Sequence, residues 1–126
     1  MNLNLILAVA TGGAIGSVTR LLVGFGVTKL AGPAFPWGTL LINIAGSFII
    51  GALAEAFALR WNLTQAWQAF LTVGFCGGFT TFSTFSLDAY ALFQRGETGL
   101  AAAYVVASVV LSIAALVAGL QLIRAL

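Results

Sequence analysis

The segment Gly74-Phe75-Cys76-Gly77-Gly78-Phe79-Thr80-Thr81-Phe82-Ser83-Thr84-Phe85-Ser86 lies inside a long apolar run but does not read as an ordinary helix. Three glycines and five hydroxyl residues fall within its thirteen positions. Glycine is a poor helix-interior residue, and Ser and Thr hydroxyls compete for backbone hydrogen bonds. A break or unwound turn over 77–81 is therefore expected. If the run crosses a membrane, the break frees carbonyl oxygens, which lipid tolerates only where they face protein or coordinate something. Freed carbonyls suit a small hard cation such as Na⁺. Gly74 and Gly78 also have G-x-x-x-G spacing, which suits close helix packing equally well. Spacing alone does not choose between the two.

The surroundings of this segment place it in a membrane. Of 126 residues, 61% are hydrophobic and only 6% charged, and the mean hydropathy is +1.11. A soluble domain has about a quarter of its residues charged, and disorder requires low hydropathy with high charge. An α-helical span needs roughly 20 apolar residues to cross a hydrocarbon core of about 30 Å. The chain holds four such stretches, 5–27, 38–59, 66–93 and 100–123. The reading is an all-α integral membrane protein, one transmembrane domain over 1–126, with the third of four helices broken mid-membrane. The intervening breaks are short, the first carrying Pro33 and Pro36, so consecutive helices must be neighbouring hairpins. Ala8-Val9-Ala10 resembles a signal cleavage triplet, but Met1 to Asn4 has no basic residue, so a retained helix is expected.

Net charge is +2, from five basic and three acidic residues. The charges are scattered, so nucleic acid is not implied. There is no histidine, and Cys76 is the single cysteine, which leaves no intrachain disulfide or cysteine-rich metal site. An enzyme is disfavoured, since the carboxylates are solitary and the apolar setting of Cys76 suppresses thiolate formation. With four spans, Arg60 and Arg124 share one side of the membrane, and Lys29 and Arg95 share the other. This balance gives no positive-inside preference. Two oppositely inserted copies can then form an antiparallel homodimer. The alternative, that one loop charge or the translocation machinery sets a single orientation, stays open.

The remaining polar residues are donors rather than carboxylates. Phe82 and Phe85 are three apart and share a helix face. A phenyl ring has a positive edge that can attract an anion, although packing is the commoner role for any one phenylalanine. Tyr104, Ser108 and Ser112 lie on one stripe of the fourth helix, fit either for lining a narrow path or for joining helices. Asn43 is the costliest uncharged residue to bury and needs a partner or a cavity. A path lined by Asn43, Thr84, Ser108, Ser112 and phenyl edges favours anions. Arg20 is the deepest charge, placed either to snorkel or to draw anions into a vestibule. Glu55 and Asp88 lie near the ends of their stretches.

The run Gly77 to Ser86 resembles the broken-helix motif of the CrcB/Fluc fluoride channels. Gly12-Gly13 with Gly16 and Arg20, and Gly38-Thr39-Leu40 with Asn43, Gly46 and Gly51, match that family as well. The resemblance implies a dual-topology homodimer in the cell (inner) membrane, with two antiparallel pores passively exporting fluoride from the cytoplasm. It implies that Phe82 and Phe85 contact the ion and that Asn43 and Ser112 donate to it. Ser83, Thr84, Ser108 and Tyr104 would complete the polar lining, with Arg20 at the vestibule. Backbone carbonyls of Gly77 and Thr80, from both subunits, would hold a structural Na⁺ on the two-fold axis. The family often has glutamate where this chain has Asp88, which puts a role for that carboxylate in doubt. Two other readings compete. A small four-helix coupled exporter needs a membrane-embedded carboxylate in its first helix, and the first stretch has none. A non-conducting subunit of a membrane complex would pass no ion when purified.

Overall fold

The computed structural model describes residues 1–126, and all its regular structure is helical. Helix α1 (Leu3–Ala31) starts at Asn2, whose Oδ1 accepts the Leu5 N–H at 2.9 Å, satisfying one of the orphan donors of the first turn. It ends at Gly32, whose φ of 86° is a conformation that side-chain-bearing residues rarely adopt. Helix α2 (Trp37–Leu59) follows a loop held by Pro33 and Pro36. The third span, Gln65–Gln94, is built in pieces. These are α3 (Gln65–Ala69), a π-helical stretch (Phe70–Cys76), the short α4 (Gly77–Phe79) and, after two extended residues, α5 (Phe82–Gln94). Gly96, with φ of 81°, turns the chain into α6 (Thr98–Ala125).

Four helical spans are thus long and apolar enough to cross a membrane, and the chain is a multi-pass membrane protein. The ends pair as an up-down-up-down path requires. Glu55 at the end of α2 accepts from Arg124 at the end of α6, at 2.7 Å. On the opposite side, Arg95 donates to the Ala34 carbonyl of the α1–α2 loop at 2.7 Å and pairs with Glu97 at 2.8 Å.

Helices approach closely where glycine removes the side chain. The α2–α6 interface is the most extensive. A Cβ at Gly51 would overlap the Leu116 carbonyl, and one at Gly119 would overlap the Phe48 carbonyl. Similarly α1 lies flush on the first half of the third span, where a Cβ at Gly12 or Gly16 would strike the Phe70 or Phe75 carbonyl. Without a hydrophobic driving force between helices in lipid, this backbone-to-backbone contact is the main source of attraction. The π-helical stretch under Gly12 and Gly16 was not anticipated from the sequence. Its widened turn carries no composition signal, and it lies where α1 presses on it.

Gly119→Ala should therefore destabilise the fold by about 1–3 kcal/mol through overpacking. Gly26→Ala, where a Cβ meets nothing within 4 Å, should leave stability unchanged or slightly raised. Thermal unfolding in detergent tests this, and equal melting temperatures for the two variants would contradict the packing assignment.

Candidate functional site

The break falls at Thr80 and Thr81, whose φ/ψ values of −87°/161° and −154°/121° are extended. Gly77 and Gly78 are helical instead. A Cβ at Gly78 would overlap the Gly13 carbonyl, so this glycine serves close packing while the β-branched threonines make the break. Thr80 folds back, its N–H and hydroxyl donating to the Cys76 carbonyl at 3.0 and 2.8 Å. Thr81 is the N-cap of α5, its hydroxyl accepting the Thr84 N–H at 3.1 Å.

Two long side chains satisfy what the break exposes. The Asn43 Oδ1 of α2 accepts the Thr81 N–H at 2.8 Å, and its Nδ2 donates to the Thr81 carbonyl at 3.0 Å. The Arg20 Nε of α1 donates to the Gly78 carbonyl at 2.9 Å. Arginine here supplies positive charge to the carbonyl end of a half-helix. Two other carbonyls are left differently. An unbroken helix would give the Gly77 carbonyl the Thr81 N–H, and the Thr80 carbonyl the Thr84 N–H. Both donors are diverted, to Asn43 and to the Thr81 hydroxyl.

Two cavities meet at the break. A groove of about 750 Å³, between α2, the third span and α6, is lined by Asn43, Gly77, Thr80, Phe82, Phe85, Ser108 and Ser112. No acidic or basic side chain lines it. The Phe82 and Phe85 rings lie 5.4 Å apart at 54°. The Ser108 and Ser112 hydroxyls are buried without a hydrogen-bond partner, whereas those of Thr11, Thr19, Thr72 and Ser86 all donate to the carbonyl four residues back. A second cleft of about 500 Å³, between α1, α2 and α5, is lined by Arg20, Thr84, Asp88 and Arg95. Thr81 lines both.

The structure thus brings together Asn43, Phe82, Phe85, Ser108, Ser112, Gly77 and Thr80, and puts Arg20 and Thr84 in the neighbouring cleft. Ser83 is exposed, with its hydroxyl 3.4 Å from that of Thr81. Tyr104 is fully buried, lines neither cavity and donates its hydroxyl to Asp88 at 3.2 Å. Sequence reasoning missed Thr81 as the residue between the two cavities. The signal was the Thr80-Thr81 pair itself, two β-branched residues that favour extended backbone. It also missed that one amide, Asn43, would be spent on the main chain 38 residues away.

The family described as CrcB-like protein, Camphor Resistance (CrcB), matches residues 7–120. A fluoride-specific ion channel FluC 1 from Nitrobacter hamburgensis is 61% identical over 126 residues, the whole of both chains. A fluoride-specific ion channel FluC from Nitrobacter winogradskyi is 60% identical over 124 residues, 98% of each chain. One from Agrobacterium fabrum is 61% identical over 116 residues, 92% of this chain and 93% of its own.

Asn43→Leu should strand the Thr81 N–H and carbonyl, costing about 2–4 kcal/mol. Hydrogen exchange in detergent should then show faster exchange of the Thr81 amide, and protection equal to the wild type would refute the clamp.

Proposed function

The chain belongs to the CrcB-like family, and we propose on that footing that it is a fluoride-selective channel. It passively exports fluoride from the cytoplasm across the cell (inner) membrane and performs no catalysis. The observation that carries this reading is the pair of buried, unpartnered hydroxyls of Ser108 and Ser112, two residues lining a groove that also includes Phe82 and Phe85 and no carboxylate. A donor that has left its own helix carbonyl and found no other partner is available to an anion. The edges of Phe82 and Phe85 add weak positive potential without a full charge. Asn43 contributes in the same way, because only one of its two amide N–H groups is used by Thr81. With no lysine or arginine lining the groove, binding stays weak enough for ions to leave.

The working unit is an antiparallel dimer with two pores. Support comes from the balanced loop charges and from the groove, whose hydroxyls and main-chain groups are poorly suited to face lipid. A structural Na⁺ on the two-fold axis fits the donor set of this chain. Gly77 and Thr80, two of the residues whose carbonyls have lost their helical donors, both line the groove. Such a cation would supply the charge those oxygens lack. Arg20 holds the Gly78 carbonyl beside them and lines the adjoining cleft, a vestibule for anions.

Purified protein in liposomes should pass fluoride rapidly and chloride far less. Equal passage of both would remove the selectivity, and passage of neither would leave a non-conducting subunit. Phe82→Ile and Phe85→Ile should each cut fluoride flux by about tenfold or more, the equivalent of one lost ion contact, with the dimer intact by size-exclusion chromatography. Unchanged flux in both would contradict the ring-edge role.

A further inference from the structure

The cleft that Arg20 lines runs from Thr81 at the break out to Arg95 and to residues 33–36 of the α1–α2 loop. The two sides of its outer end are built differently. The α5–α6 turn is rigid. The Gly96 N–H donates to the Phe93 carbonyl and the Glu97 N–H to the Leu92 carbonyl, both at 3.0 Å, with Gly96 at a φ of 81°. These are the paired bonds that close a helix through a left-handed glycine. The α1–α2 loop has less of its own, a tight turn in which the Trp37 N–H donates to the Phe35 carbonyl at 2.8 Å. Its inner side is anchored by the Phe35 ring, which packs on the buried core. Its outer side, Pro33 and Ala34, is exposed. The one hydrogen bond joining that outer side to another element runs from Arg95 Nη2 to the Ala34 carbonyl, at 2.7 Å. Glu97 aims the guanidinium, its Oε2 accepting from Nε at 3.2 Å and from Nη2 at 2.8 Å. Nη2 thus spends both its N–H groups, one on Glu97 and one on Ala34.

We propose that Arg95 is a positioning residue, and that with Glu97 it tethers the outer edge of the α1–α2 loop and so keeps open the mouth of the anion cleft. This rests on the channel reading above, because it takes the cleft as the route by which anions reach the groove. The other task for an arginine at a cleft mouth is to collect anions by its charge. Here Glu97 offsets that charge at contact distance. A tether needs the fork rather than the charge, since one planar group must meet a carboxylate and a carbonyl together, and an ammonium does not reproduce that geometry. Both side chains of the pair are about half exposed. A pair of that kind shifts an equilibrium by at most about fivefold, so the loop is held rather than locked. Freed from Arg95, its outer edge pivots about the Phe35 anchor across the cleft that it lines.

Arg95→Gln, Arg95→Lys and Glu97→Gln, each in the full chain reconstituted in liposomes, separate the two roles. All three weaken a tether, so each should cut fluoride flux by about two- to fivefold. The fluoride-to-chloride ratio should stay unchanged, because selection takes place in the groove. Arg95→Gln combined with Glu97→Gln should be no worse than Arg95→Gln alone. A charge collector behaves otherwise: Arg95→Lys leaves flux as it was, and Glu97→Gln, which removes a negative charge from the mouth, raises it. A second readout, independent of transport, is hydrogen exchange in detergent. The Trp37 amide, bonded to the Phe35 carbonyl, should exchange faster in Arg95→Gln and in Glu97→Gln. Amides in the middle of α6 should keep wild-type protection, which separates release of the loop from general unfolding. Flux raised by Glu97→Gln, flux unchanged by Arg95→Lys, multiplicative losses in the double variant, an altered fluoride-to-chloride ratio, or a Trp37 amide indifferent to Arg95 would each overturn the assignment. If the wild type passes no fluoride, the channel reading fails instead, and the Trp37 exchange still decides the tether.

Discussion

A helix interrupted inside a membrane must find partners for the main-chain groups it releases, and the rest of this structure follows from how that is done. Lipid offers no hydrogen bonds, so each unpaired N–H or carbonyl costs several kcal/mol. Here α1 and α2 each send one long polar side chain to the break. Asn43 takes the Thr81 N–H and carbonyl together, and Arg20 takes the Gly78 carbonyl. The two threonines contribute their own hydroxyls. Among buried side chains, only the Ser108 and Ser112 hydroxyls are left without a partner.

This solution requires helices that nearly touch, and the glycines permit it. Arg20 reaches Gly78 because Gly12, Gly13 and Gly16 let α1 lie directly on Gly74, Gly78 and the carbonyls of the π-helical stretch. Packing and break are therefore not rival explanations of the glycine-rich motif. The glycines bring the neighbours close, and the neighbours make the break affordable in lipid. Likewise Gly51 and Gly119 draw α2 and α6 together, which brings Asn43 and the Ser108–Ser112 stripe to opposite walls of one groove.

The hydroxyls divide into two populations with different consequences. Those of Thr11, Thr19, Thr72 and Ser86 return to their own helix and are chemically silent. Those of Ser108 and Ser112 do not; they stay buried without a partner, in residues that line the groove together with Phe82 and Phe85. The site therefore differs from the rest of the span in having donors left over, rather than in having more hydroxyls.

Much of this could be read from residue order alone. Hydropathy and span length set four membrane helices, because the thickness of hydrocarbon is a fixed ruler. The cluster Gly74 to Ser86 marked the interrupted span and the family, because Gly, Ser and Thr act on the backbone locally. Residue order also put Ser108 and Ser112 on one stripe, since helical periodicity is independent of neighbours. It did not separate Tyr104 from that stripe, place the break at Thr80–Thr81 rather than at the glycines, or reveal the π-helical stretch. Those outcomes were decided by tertiary structure, through contacts between residues distant in the chain: Asn43 with Thr81, Arg20 with Gly78, Tyr104 with Asp88. A residue's type fixes which hydrogen bonds it can make, but only the packed helices decide which partner is within reach.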